Sequence, residues 1–419
     1  MAGIITPIAS LLLSVALLLM GNGLQGVLLP VSASLGGFSD VDIGILGSAY
    51  YVGFMVGCLF GPRLVRRAGH IRAFAAMVSI VSSIALAHSL ITEPVPWWLL
   101  RAGTGLCFAV LYTVIESWLN EKATDENRGL VFSIYTIINL TVITLGQLML
   151  TLAEPGEFEL FALASILVSL AAVPVALTRG TAPAPITAVN INLLSLYRLS
   201  PVGVGGCLAV GLANGSFWAL GPIYALERLG TGSGVAVFMS VAVIAGAVGQ
   251  WPLGRWSDRT DRRKAIIVAC GGASIAGLSL VVLAGSGSGS ILAFVFLYGL
   301  FAFPIYSLSV AHTNDHLATD ELVQAASGLL LVFAFGAIVG PVIASMVVRA
   351  IGIQSLFAFT AAIHVAMVAF ALYRMRERGP APEETRTTFA DTLKVAQTVS
   401  TIDPLSATAP PGPGELRQN

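Results

Sequence analysis

A chain of 419 residues that is 56% hydrophobic and 11% charged, with a mean hydropathy of +0.85, cannot clothe a water-facing surface, for which soluble domains use about a quarter of their residues as charges. Lipid must be its solvent. Twenty-two Lys and Arg balance 22 Asp and Glu, so no net field argues for nucleic acid. The four cysteines, Cys58, Cys107, Cys207 and Cys270, stand far apart in apolar runs without metal-ligand spacing.

Twelve apolar stretches near the roughly 20 residues that cross a bilayer follow in chain order. They lie at 7–32, 40–61, 71–91, 96–119, 129–151, 158–178, 200–226, 233–254, 265–284, 291–312, 322–348 and 354–374. The first has no Lys or Arg before it and is too long for a signal-peptide core, so it is expected to be retained. Lipid offers no hydrogen bonds to bare backbone, so spans of this length must be helices. The fold class is therefore an all-α membrane protein.

Of the 22 basic residues, 19 fall in the loops after spans 2, 4, 6 and 8 or in the tail. Arg228 and Arg349 fall on the opposite face, and Arg101 lies inside span 4. Basic residues near helix ends stay on the cytoplasmic side during insertion, which puts both termini in the cytoplasm of a multi-pass inner-membrane protein. Composition divides the chain further. An N-terminal six-helix bundle (1–178) is followed by a polar cytoplasmic linker opening RGTAPAP (179–199), a C-terminal six-helix bundle (200–374) and a tail (375–419). The tail holds six of the 20 prolines and is expected to be disordered. GSGSGS at 285–290 is a flexible loop.

The two bundles share a pattern. Asn22, Gly23 and Pro30 of span 1 meet Asn214, Gly215 and Pro222 of span 7 at an offset of 192. Gly105, Tyr112 and Asn120 meet Gly299, Tyr306 and Asn314 at 194, and ATDE follows both. Six helices per half is an even number, so the repeat is parallel, about an axis normal to the membrane.

These residues resemble the major facilitator superfamily. GRWSDRTDRRK (254–264) is similar to its loop signature, a Gly, then Asp258, then a basic run. In the matching loop, PRLVRRAGHIR (62–72), Pro62 stands for the Gly and Arg66 for the Asp, so the N-terminal latch lacks that carboxylate. RAGTG (101–105) resembles the superfamily's helix-4 motif, and GAIVGP (336–341) its Gly-Pro packing pattern. The antiporter motif of helix 5 is replaced by TLGQLML. GQWPLGR, YTVIESWLN and ENRG resemble the bacterial branch typified by YcaD. The resemblance implies twelve helices in two pseudo-symmetric bundles and a secondary transporter, without a substrate.

Candidate residues follow. Arg101, five residues into its span, either snorkels to the interface or faces a cavity, as costly intramembrane charges usually do. Asn22, Gln25, Tyr112, Asn139, Gln147, Asn214, Trp218, Tyr298 and Tyr306 offer hydrogen bonds and ring faces to a solute, or serve as glue between helices. Glu116 lies near the cytoplasmic edge, too far along for a midplane proton site. With Arg66, Arg67, Arg128, Asp258, Arg259 and Arg262 it forms the expected cytoplasmic gate. His364 could be protonated in mid-span, though its helix is peripheral in the fold. HTNDH (312–316) reads as a solvated helix end rather than a metal site, and Gly53, Gly57 and Gly61 as a packing face.

No phosphate-binding loop and no paired catalytic set occurs in the sequence, so neither ATP hydrolysis nor an enzyme is expected, and no cofactor. The expectation is a monomeric carrier of a small organic solute by alternating access, a coupling proton remaining open. A neutral or amphiphilic molecule is favoured, with drug or metabolite efflux ahead of sugar uptake. A non-transporting sensor that signals through the tail is the alternative.

Overall fold

The computed structural model describes residues 8–124, 127–177, 192–282, 287–317, 321–377, 379 and 388–389, leaving out the side chains of Arg128 and Val323. Twelve helices long and apolar enough to cross a membrane make up most of this, and no strand occurs among the described residues. They are α1 (Ala9–Leu35), α2 (Asp40–Ala68), α3 (His70–Leu90), α4 (Pro94–Lys122), α5 (Gly129–Leu152) and α6 (Phe158–Ala176). The second half repeats them as α7 (Pro201–Leu229), α8 (Gly232–Arg259), α9 (Arg262–Val282), α10 (Ser288–Asn314), α11 (Leu322–Ile351) and α12 (Ser355–Glu377).

Local chemistry sets the ends. Ser39 and Asp42 form a capping box at the start of α2, Ser39 Oγ accepting from Asp42 N at 3.2 Å and Asp42 Oδ2 from Ser39 N at 3.0 Å. Thr231 caps α8 by accepting from Gly234 N at 3.0 Å. Both helices outrun their apolar stretches, to Ala68 and Arg259, because a helix continues into the headgroup layer where long basic side chains can reach water. α10 breaks at Phe303, before Pro304, whose ring nitrogen cannot donate.

Without a hydrophobic force between helices in lipid, packing depends on close backbone approach. A methyl on Gly53 of α2 would lie 1.8 Å from the carbonyl oxygen of Ala102, and one on Gly105 of α4 1.9 Å from that of Tyr50. The pseudo-symmetric pair α8 and α10 does the same: Gly249 would meet Leu300 O at 2.0 Å and Gly299 would meet Ala242 O at 2.3 Å. α1 and α5 touch through Gly23 and Gly146, α7 and α11 through Gly211 and Gly340.

The halves meet along a seam. A methyl on Gly44 of α2 would lie 2.2 Å from Ser345 Oγ of α11, and one on Gly47 2.5 Å from Ala219 Cβ of α7. Farther along, Tyr51 and Phe333 meet edge to face at 6.0 Å. Gly232, opening α8, rests against Leu150 of α5 and Pro155 just beyond it. These contacts run from mid-helix toward the end opposite the basic loops, called here the low-charge end.

Two features depart from the sequence reading. Within the expected linker, Leu193–Leu199 forms a short helix capped by Asn192, whose Oδ1 accepts from Ser195 N at 3.1 Å, and Leu196 is buried with Cys207, Val310 and Leu329. The linker before 192 lies outside the described residues. In the tail expected to be disordered, Phe389 is 5% exposed, in one core with Val202, Leu253, Ile266, Leu308 and Met367. An isolated ring in a polar, Pro-rich stretch gives no periodicity to reveal such a contact.

Candidate functional site

Where α1, α2, α4, α5 and α7 come together they line a cavity of about 330 Å³, within the range of small-molecule sites. Bulk is cut away by Gly23 and Gly26 of α1, Gly47 of α2 and Gly215 of α7. Tyr50, Tyr51, Tyr112 and Trp218 present rings, and Asn22 and Gln147 amides. Arg101 supplies the charge on the wall. Five of the residues expected at a cavity, Asn22, Arg101, Tyr112, Gln147 and Trp218, thus stand on one wall.

The other five stand elsewhere. Gln25 is 1% exposed and neither of its amide atoms has a hydrogen-bond partner, while Asn214 is 7% exposed with Oδ1 unpartnered. Each is one helical step off the face that carries the wall: 22, 23 and 26 on α1, and 215, 218 and 219 on α7. Asn139 is half-buried on α5 away from the wall. Tyr298 is buried in an aromatic cluster, stacked on Phe217 at 5.5 Å and edge-on to Phe357 at 5.3 Å. Tyr306 packs edge to face on Phe333 at 5.4 Å. Tyr50 and Tyr51 were the unforeseen rings of the wall, since a Tyr pair in an apolar span carries no signal of which face it occupies.

Arg101 sits roughly 10 Å along α4 at 1.5 Å per residue. Its guanidinium lies over the Tyr50 ring, 4.6 Å from the centroid, and its Nη1 is closed to solvent without a hydrogen-bond partner. No carboxylate among the described residues forms an ion pair with it.

At the basic end a second constellation forms. Arg262, 3% exposed, donates through Nε to Asp315 Oδ2 at 2.7 Å and through Nη1 to Ser257 at 3.0 Å and Asp258 at 3.1 Å. Asp258 Oδ1 also accepts from the backbone N of Phe389 at 2.8 Å. The signature carboxylate is therefore engaged by its own half and by the tail. Arg66, Arg67 and Arg259 are exposed, and the Arg128 side chain lies outside the described residues. Glu116 is 3% exposed, facing inward within electrostatic reach of Cys58, Tyr112, Tyr135 and, from the other half, Tyr306. It is not a solvated helix end.

Asp315 was unforeseen. HTNDH reads as a solvated helix end, yet His312 is 7% and Asp315 3% exposed, because the partner of Asp315 lies 53 residues earlier. Next to this pair, in the turn between α8 and α9, Asp261 accepts from Arg263 N at 3.0 Å and Nη2 at 2.7 Å. Burial pushes its carboxyl upward, but the Arg263 hydrogen bonds and charge outweigh this and hold it below its ordinary range. His364 is fully buried in α12, neither ring nitrogen having a hydrogen-bond partner, beside Tyr298 at 6.2 Å.

Two six-helix halves that both contribute to the wall of this cavity define a solute-carrier fold. The chain belongs to the Major Facilitator Superfamily, whose family model matches residues 11–330. Similar curated proteins include an uncharacterized MFS-type transporter of Enterobacter sp. strain 638, 26% identical over 380 residues that cover 90% of this chain and 97% of the relative. The uncharacterized MFS-type transporter YcaD of Escherichia fergusonii is 26% identical over 363 residues, covering 85% and 93%. Among solved structures, the nucleoside transporter NupG superposes with a TM-score of 0.72 at 13% identity, covering 89% of this chain and all of that one. A bacterial homolog of the human lysosomal transporter Spinster gives 0.70 at 13%, covering 91% and 97%. At such identity these structures share the fold alone.

Proposed function

We propose that this superfamily member carries a small organic solute across the bacterial inner membrane by alternating access between its two halves. The observation that supports this best is the cavity itself. Its wall draws on α1, α2, α4 and α5 from one half and α7 from the other, so any rocking of the halves reshapes it. The seam beside it is made of glycine against Ser345, Pro341 and Ala219, a hard contact that can part and close as a surface rather than deform.

In this reading the basic end is cytoplasmic, and Arg262, Asp258 and Asp315 brace that end of the C-terminal half as it moves. Five transmembrane residues, Asn22, Arg101, Tyr112, Gln147 and Trp218, contact the solute.

Spin-label distances test the reading without knowledge of the solute. One pair joins Arg67 and Lys264 at the basic end, and a second joins Leu90 and Ile351 at the low-charge end; all four residues are exposed. The expected result is two populations whose distances at the two ends change in opposite senses. A single fixed distance at both ends, together with no flux of any member of a broad metabolite and drug panel in liposomes, removes the proposal.

A further inference from the structure

We propose that the cavity takes an organic monoanion, a carboxylate with an aromatic or otherwise apolar body, and that Arg101 binds its charge. The inference rests on the transport reading and narrows its solute.

An arginine cannot shed its proton in a protein, so its charge inside a span must be met by something. Arg262 shows how this chain does so for a structural role: Asp258 at 3.1 Å and Asp315 at 2.7 Å meet it. Arg101 has neither. Its guanidinium has one ring face, that of Tyr50, and an Nη1 that is shut from solvent and donates to nothing. A guanidinium with a buried donor that has no acceptor, on the wall of a cavity, matches the planar pair of oxygens of a carboxylate.

The rest of the wall agrees in sign and shape. Among the described residues no Asp or Glu lines it, so a cationic solute would meet only like charge. Among them Arg101 is the one cation, so a dianion such as a phosphate ester would leave a charge unmatched. Gln147, whose Oε1 has no partner, and Asn22 are neutral and suit a polar substituent, whereas Tyr112 and Trp218 offer ring faces to an apolar body. A volume of about 330 Å³ limits that body to one or two rings.

The test uses full-length protein in detergent and four isolated probes: 3-phenylpropanoate, 3-phenylpropanamide, 3-phenylpropylammonium and inorganic phosphate. Calorimetry and thermal shift should rank the carboxylate first, about tenfold to a hundredfold tighter than the amide, with no response to the ammonium or to phosphate. Arg101→Gln should remove that advantage, and Arg101→Lys should retain part of it. A second measurement needs no change at Arg101. In Gly26→Cys, on the wall and with nothing within 4 Å of an added side-chain carbon, an anionic thiosulfonate should react about tenfold faster than a cationic one of equal size.

Equal binding of amide or ammonium, a carboxylate preference that survives Arg101→Gln, phosphate matching the carboxylate, faster cationic labelling, or silence to all four probes would each overturn the proposal. None of these readouts depends on the spin-label distances, so loss of the anion site and loss of alternating access are separate results.

Discussion

Two arginines in this chain meet opposite circumstances. Arg262 is held by two carboxylates and a hydroxyl, and Arg101 by a single ring face. The first arrangement is a brace, and its cost is testable. Asp315→Asn should destabilise the protein by about 2–3 kcal/mol, less than a buried pair broken outright because Asp258 still faces the guanidinium. Thermal unfolding in detergent reads this, and an unchanged melting temperature would mean that the pair contributes specificity rather than stability. At this scale the sequence was half legible. Polarity within a span marks a residue as one that avoids lipid, which is how Asn22, Gln147 and Trp218 became candidates. It does not give helical phase, and a step of 100° separates Asn214, buried off the wall, from Gly215, which lines it.

Helices in this molecule approach one another through absent side chains. The spacing of Gly53, Gly57 and Gly61 announced a smooth face on α2, but its complement on α4 and the matching pair in α8 and α10 required the partner backbone to be seen. Gly53→Ala would drive a methyl to 1.8 Å from a carbonyl oxygen that belongs to helix backbone and cannot swing aside. The expected loss exceeds the ~1–3 kcal/mol of ordinary overpacking, read as aggregation on size exclusion or a large fall in melting temperature. Gly26→Ala, with nothing within 4 Å of the added methyl, should fold as the parent does. The two halves also differ at one repeated corner. At the start of α3, His70 Nε2 meets Ser117 Oγ at 3.1 Å, whereas at the start of α9 an arginine meets an aspartate. The neutral corner belongs to the half whose loop carries Arg66 where the signature expects a carboxylate.

For the molecule as a whole, the twelve spans and their duplication were readable because apolar length and repeated motifs each impose a fixed period on the chain. The extent of the last domain was not, since the core of the second half recruits Phe389 from beyond α12. That contact changes how the tail can be dissected. A stop after Arg378 and the substitution Phe389→Ala should both lower stability, by up to about 3 kcal/mol once the ordering of the tail is set against burial of the ring. A stop after Ala390 should leave the melting temperature unchanged. If all three variants melt alike, the ring contributes nothing. Removal of the tail from 375 onward therefore cannot separate a signalling role from a structural one, whereas the later stop can.

A bundle made almost wholly of lipid-embedded helices thus completes its interior with a residue translated after every membrane crossing. Until that ring arrives, the notch at Gly254 is open. A single nick in the chain between Glu377 and Thr388, cut by a protease that never touches the bilayer, would reach the inside of the second bundle.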